Sequence, residues 1–132
     1  MKTVSYEKKK HFFMEDKDVT VTIESIFSIP NLKIITIRGT VNRDTSFKVD
    51  EKVMPVIEKE ESNIILNLSG LDYLSSVGMM SIVRYLVVCK DRKKLFKLVR
   101  PPKSVHDTMV VFGIGNKFDI YDNIEAAMST LQ

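Results

Sequence analysis

Apolar and polar residues alternate from Val19 through Val21 and Ile23 to about Ile26, against Thr20, Thr22 and Glu24, which is the period of a half-buried strand. Pro30-Asn31 is turn chemistry, and the run from Lys33 to Arg38 reads as a second strand ended by Gly39. Residues 19–38 therefore predict an antiparallel hairpin with a slightly long loop. After it, Val49, Val53, Val56 and Ile57 form a helical stripe, with Asp44 or Thr45 placed to cap it. Pro55 interrupts that stripe, and an interior proline costs about 3 kcal/mol, so a kink or break is expected there. Glu58 to Glu61 reads as a solvated end.

The pattern then changes. Ile64 to Leu68 is a short run of branched and aliphatic residues, with Asn67 within it, closed by Ser69-Gly70, as suits a strand buried on both faces in a parallel sheet. Met79, Ile82, Val83, Leu86 and Val87 recur at helix spacing, and Tyr73 to Gly78 is the loop expected between strand and helix. A serine there can cap the helix, and Ser76 is the candidate. The same position meets unpaired N–H groups and the positive end of the helix dipole, which suit a phosphate.

Downstream, Asp91 to Lys94 is a charged turn and Leu95 to Val99 a further strand, stopped by Pro101-Pro102. Pro102 suits a first helical turn. Val105, Met109 and Phe112 mark a helix face closed by Gly113, and Phe118 to Tyr121 is a last short strand. Asp122 with Glu125 has the form of a capping box, ahead of the stripe Ile124, Ala127, Met128 and Leu131. The order β-β-α-β-α-β-α-β-α predicts a single α/β domain over residues 19–132, with a mixed sheet and about four helices. Residues 1–18 read as an N-terminal tail or an extra edge strand. Lys8 to His11 followed by Phe12-Phe13-Met14 is too short a basic cluster to argue for an acidic lipid or protein.

Composition narrows the function by exclusion. The chain has 132 residues, 44% of them hydrophobic, enough for one domain with its own core. A net charge of +3 and no basic stripe interleaved with aromatics give no support to direct nucleic-acid binding. No apolar run is long enough for a transmembrane segment, the start Met1-Lys2-Thr3 with lysines and no apolar h-region gives no expectation of a signal peptide, and the lone Cys89 suits a reducing cytoplasm. One cysteine and two scattered histidines make no metal set. His106 beside Asp107 reads as a surface helix residue rather than a general base. Gly113-x-Gly115 lacks the context of a dinucleotide cradle. Neither a catalytic constellation nor a cofactor site is visible, so the chain reads as a non-enzyme.

The stretch Asn67-Leu68, a short loop, then Ser75-Ser76-Val77-Gly78-Met79 opening a helix resembles the signature of the STAS domain, the fold of bacterial anti-sigma factor antagonists. The resemblance covers about residues 19–132 and extends to the run Gly113-Ile114-Gly115-Asn116-Lys117-Phe118 after the third helix. It puts the family's phosphorylated serine on Ser76, with Ser75 as a second candidate. It also implies partner switching: the unphosphorylated protein binds an anti-sigma factor that is a serine kinase of the GHKL type, phosphate on Ser76 breaks the complex, and a serine phosphatase restores it. Three positions depart from the family pattern. Ser75 stands for an aspartate, Val77 for a serine or threonine, and Asn42, in Gly39-Thr40-Val41-Asn42, for an aspartate near the loop.

The partner surface implied by this placement comprises Asn42, Ser75, Ser76, Val77, Gly78, Met80 and Arg84. Met80, Arg84 and Val88 lie at i, i+4 and i+8 on one flank of the central helix, open to a partner or tucked under a neighbouring helix. The alternatives are a STAS scaffold or regulatory subunit of a transporter or signalling complex working without phosphorylation, and a small-ligand sensor.

Overall fold

The computed structural model describes residues 17–111 and 113–131 in full and residues 8–15 as backbone. Six strands lie in one sheet in chain order. They are β1 (Lys8–Glu15), β2 (Val19–Ile26), β3 (Ile29–Val41), β4 (Asn63–Leu74), β5 (Phe96–Val99) and β6 (Asp119–Tyr121). The first three pair antiparallel, and β3 to β6 run parallel. The parallel strands are joined by α1 (Arg43–Lys59), α2 (Ser76–Asp91) and α3 (Lys103–Val111), and α4 (Ile124–Ser129) ends the chain. Lys8–Glu15 thus forms an edge strand on β2, which the order predicted from sequence did not include among its core elements.

The sheet is covered unequally. One face carries the main core, with Ile35, Ile37, Leu66 and Leu68 packed under Val53, Ile57, Ile82, Leu86 and Met109 of α1, α2 and α3. Among the described residues the other face is covered by α4, through Ala127 and Met128 on Ile34, Ile65 and Val99. This is why Ile64 to Leu68 is apolar on both sides: alternate residues feed the two cores.

Several local expectations are corrected. The β2–β3 turn is the two residues Phe27-Ser28, and Pro30-Asn31 lies inside β3. There the register slips by a bulge, and Asn31 takes a left-handed φ of 61°. Gly39 does not end β3. Its φ of 96° and a would-be Cβ only 2.2 Å from the Asp18 carbonyl oxygen require glycine, while the strand continues to Val41. Pro55 does not break α1, which runs on to Lys59. The C-terminal turn of that helix is instead secured by Lys94. Its Nζ is buried and donates to the carbonyls of Ile57 at 2.8 Å and Glu60 at 2.9 Å. Burial lowers the pKa of this lysine from its usual value. The Phe112 side chain lies outside the described residues; Val105 and Met109 are buried as the periodicity predicts.

Candidate functional site: the start of the central helix

The parallel pairing of β3 and β4 brings two helix starts side by side. At the first, the expected caps Asp44 and Thr45 give way to Asn42. Its Oδ1 accepts from the N–H groups of Asp44 at 2.9 Å and Thr45 at 3.0 Å. Thr45 Oγ1 in turn accepts from the Asn42 N–H at 2.9 Å and donates to the Thr40 carbonyl at 2.8 Å. This is a capping box, so Asn42 is engaged by its own helix.

At the second start the loop predicted over Tyr73 to Gly78 is absent. β4 runs to Leu74 and α2 begins at Ser76, leaving a single junction residue, Ser75. That residue is the N-cap in place of Ser76, because its Oγ accepts from the Gly78 N–H at 3.1 Å. The Ser75 N–H donates to the Val41 carbonyl at 2.8 Å, which ties the junction to β3. Gly78 is buried, and a Cβ there would approach Leu74 Cδ1 to 2.6 Å and Val41 Cγ1 to 2.9 Å. It is glycine because the helix lies directly on the strand end. Ser76 is displaced to the first helical position, where it is exposed, and its hydroxyl has no hydrogen-bond partner among the described residues.

Around Ser76 the surface is apolar. Tyr73, Val77 and Met80 are exposed, Met80 at 64%. Ser76, Met79, Met80, Val83 and Ile114 line a groove of about 300 Å³. Phe47, on the first turns of α1, is also exposed.

The inward face of α2 is rotated from the expected stripe. Val87 is exposed, and Ser81, Tyr85 and Cys89 are buried beside Met79, Ile82 and Leu86. The reason is a polar contact that the sequence pattern does not advertise. Asp50 of α1 accepts hydrogen bonds from Ser81 Oγ at 3.2 Å, from the Arg84 guanidinium at 2.6 Å and from the Tyr85 hydroxyl. A tyrosine body can thus enter the core with its polar end satisfied. Burial, then the Asp50 hydrogen bond and charge, hold the Tyr85 proton well above the usual phenol range. Arg84 is exposed but fastened to Asp50, so it orients α1 and α2 as well as facing outward. Cys89 is fully buried, and burial pushes its thiol up to about 11, which leaves it protonated and unreactive at neutral pH.

Of the residues predicted for the site, Ser76, Val77, Met80 and Arg84 are exposed, Asn42 and Ser75 are half-buried helix caps, and Gly78 is buried. Exposed Phe47 was missed, since a single aromatic on a polar helix face carries no periodic signal. His106 is exposed on α3. Among the described residues no group of histidine, cysteine and acidic side chains is arranged to hold a metal, and no helix is long and apolar enough to cross a membrane.

A buried parallel strand, a one-residue junction and a helix opening on a serine pair define a small α/β domain built to present that junction. The family model for the STAS domain matches residues 22–127 of this chain, which belongs to the STAS domain family. The candidate anti-sigma factor antagonist BtrV of Bordetella bronchiseptica is 23% identical over 107 residues, covering 79% of this chain and 90% of its own. Among solved structures, an anti-sigma factor antagonist from Mycobacterium paratuberculosis superposes with a TM-score of 0.70 at 16% identity, over 86% of this chain and 93% of its own. The Bacillus cell fate determinant SpoIIAA in its phosphorylated form superposes with a TM-score of 0.69 at 15% identity, over 85% of this chain and 99% of its own. The fold is therefore that of solved anti-sigma factor antagonists.

Proposed function

We propose that this protein is an anti-sigma factor antagonist that acts in the cytoplasm by partner switching, through binding rather than catalysis. Unphosphorylated, it binds an anti-sigma factor of the GHKL serine kinase type through the apolar surface at the start of α2. The kinase transfers phosphate to Ser76, the complex separates, and a serine phosphatase resets the cycle.

The observation that carries this reading is the division of labour between two adjacent serines. Ser75 takes the cap, so the Ser76 hydroxyl is exposed and unengaged at the rim of an apolar groove. A relative of the same fold is known in a phosphorylated form, which supports a phosphate switch in this fold. Phosphate adds about −1.5 to −2 charge. At the first turn of α2, which holds no acidic residue, the helix dipole favours that charge, so the domain stays folded. Against a partner covering the groove, the same charge is buried without a counterpart, and binding is lost.

One observation favours a second reading, a STAS scaffold that is not phosphorylated. Asn42 and Ser75, which stand where the family has aspartates, are both committed to capping helices. The two readings separate on incubation with the cognate kinase and ATP. Partner switching expects one phosphate, on Ser76. Ser76→Ala abolishes labelling and keeps binding, while Ser76→Asp weakens binding by about 2 kcal/mol or more. Phosphate on Ser75 overturns the assignment to Ser76 and moves the switch to the capping serine, while binding indifferent to Ser76→Asp overturns partner switching in favour of the scaffold.

A further inference from the structure

On the sheet face opposite α2, a crevice of about 210 Å³ opens between the middle of β4, at Asn67 and Ser69, the carboxyl end of β5 and the start of α4. It lies where the chain crosses from one side of the sheet, covered by α3, to the other, covered by α4. The floor is Val99 and Asn67. Asn67 is 6% exposed between the buried Leu66 and Leu68, and a buried amide is costly unless it is bonded. Its Oδ1 accepts from the Ser69 N–H at 3.2 Å, and its Nδ2 has only a long contact of 3.5 Å to Thr36 Oγ1. Two amide hydrogens with one weak acceptor leave donor capacity at the floor.

The rim carries Arg100, Asp122 and Glu125. Arg100 has a φ of 48° directly before Pro101, a left-handed conformation that is unfavourable for a non-glycine residue and further restricted by the proline. Its N–H is held by the Tyr121 carbonyl at 2.9 Å, so β6 enforces that conformation at the crevice mouth. Asp122 is released from capping α4 because Asn123 does so, its Oδ1 accepting from the Ala126 N–H at 2.7 Å. Among the described residues, none of Arg100, Asp122 and Glu125 forms an ion pair. A cation and two carboxylates thus share one concavity without neutralising each other.

We propose that this crevice binds a small zwitterion, a free α-amino acid, with its carboxylate on Arg100, its ammonium on Asp122 and Glu125, and its side chain over Asn67 and Val99. The charge set selects this class. A simple anion meets two carboxylates, a simple cation meets Arg100, and only a ligand bearing both charges is matched at each end. The volume agrees, since it falls below the roughly 300–1,000 Å³ of sites for drug-sized ligands. The site is independent of Ser76 and would make the domain a sensor as well as a binding module.

Amide-resolved NMR of the whole chain, titrated with each free L-amino acid to about 10 mM, tests this at the weak-affinity end. At least one amino acid is expected to shift Ser69, Arg100 and residues 122–125 saturably. Its decarboxylated amine and its deaminated acid should each bind about tenfold more weakly or worse. Arg100→Gly, which relieves the left-handed backbone, should keep the fold and lose binding to a similar extent, and Glu125→Gln should weaken it. The proposal is overturned if no amino acid gives saturable shifts at these residues, if the amine or the acid alone binds as well, or if folded Arg100→Gly binds as the parent does.

Discussion

The starts of α1 and α2 sit on neighbouring strands and are finished in opposite ways. At α1 the cap is reciprocal: Asn42 holds two N–H groups, Thr45 returns a bond, and Asp44 supplies negative charge in the first turn. At α2 the cap is one-sided. Ser75 holds a single N–H, and no acidic side chain meets the dipole. The first helix closes its own terminus. The second leaves a positive end, a free hydroxyl and an apolar groove at the surface, which is what a site for reversible charge requires. The difference does not come from residue type, because Asn42 and Ser75 are both competent caps. It comes from the strand beneath: β4 sets Leu74 so close under Gly78 of α2 that an added Cβ would come within 2.6 Å of it, and a single residue joins the two elements.

Substitutions graded by expected effect probe this contrast, with stability read from urea denaturation. The largest change should come from the seam that anchors α2 whatever its cap. Leu86→Ala, deep in the main core, should destabilise by about 2–5 kcal/mol. A loss below about half a kcal/mol would mean that α2 is held elsewhere. Next comes Asn42→Ala, which strips the two-sided cap and should cost about 1–2 kcal/mol. Ser75→Ala removes one hydrogen bond and should cost about 1 kcal/mol. If Ser75→Ala proves the more damaging of the two, α2 has the tighter terminus and the contrast fails. The smallest effect belongs to Ser76. Both Ser76→Ala and Ser76→Asp should stay within about 0.5 kcal/mol of the parent. A larger loss in Ser76→Ala would show that Ser76, not Ser75, carries the cap.

The order of strands and helices, the two-faced burial of Ile64 to Leu68 and the seam of Ile82 and Leu86 were legible in the sequence, because burial imposes a period that a chain must display. The identity of each helix cap was not. The N-caps of α1, α2 and α4 were each misassigned by one to three positions: Asp44 or Thr45 for Asn42, Ser76 for Ser75, and Asp122 for Asn123. Each candidate has the chemistry, and the choice depends on where the preceding strand lets go. Strand pairing sets that point, with β3 and β4 shifting register twice before their ends. The buried Tyr85–Asp50 and Lys94–α1 contacts were hidden for a related reason. Their partners lie more than thirty residues apart, and a polar residue reads as exposed until the fold supplies its partner. Local periodicity thus determined which segments enter the core. Tertiary register decided which serine caps the central helix and which is left for chemistry, because that choice depends on a displacement of one residue along the chain, and only packing against another strand defines it.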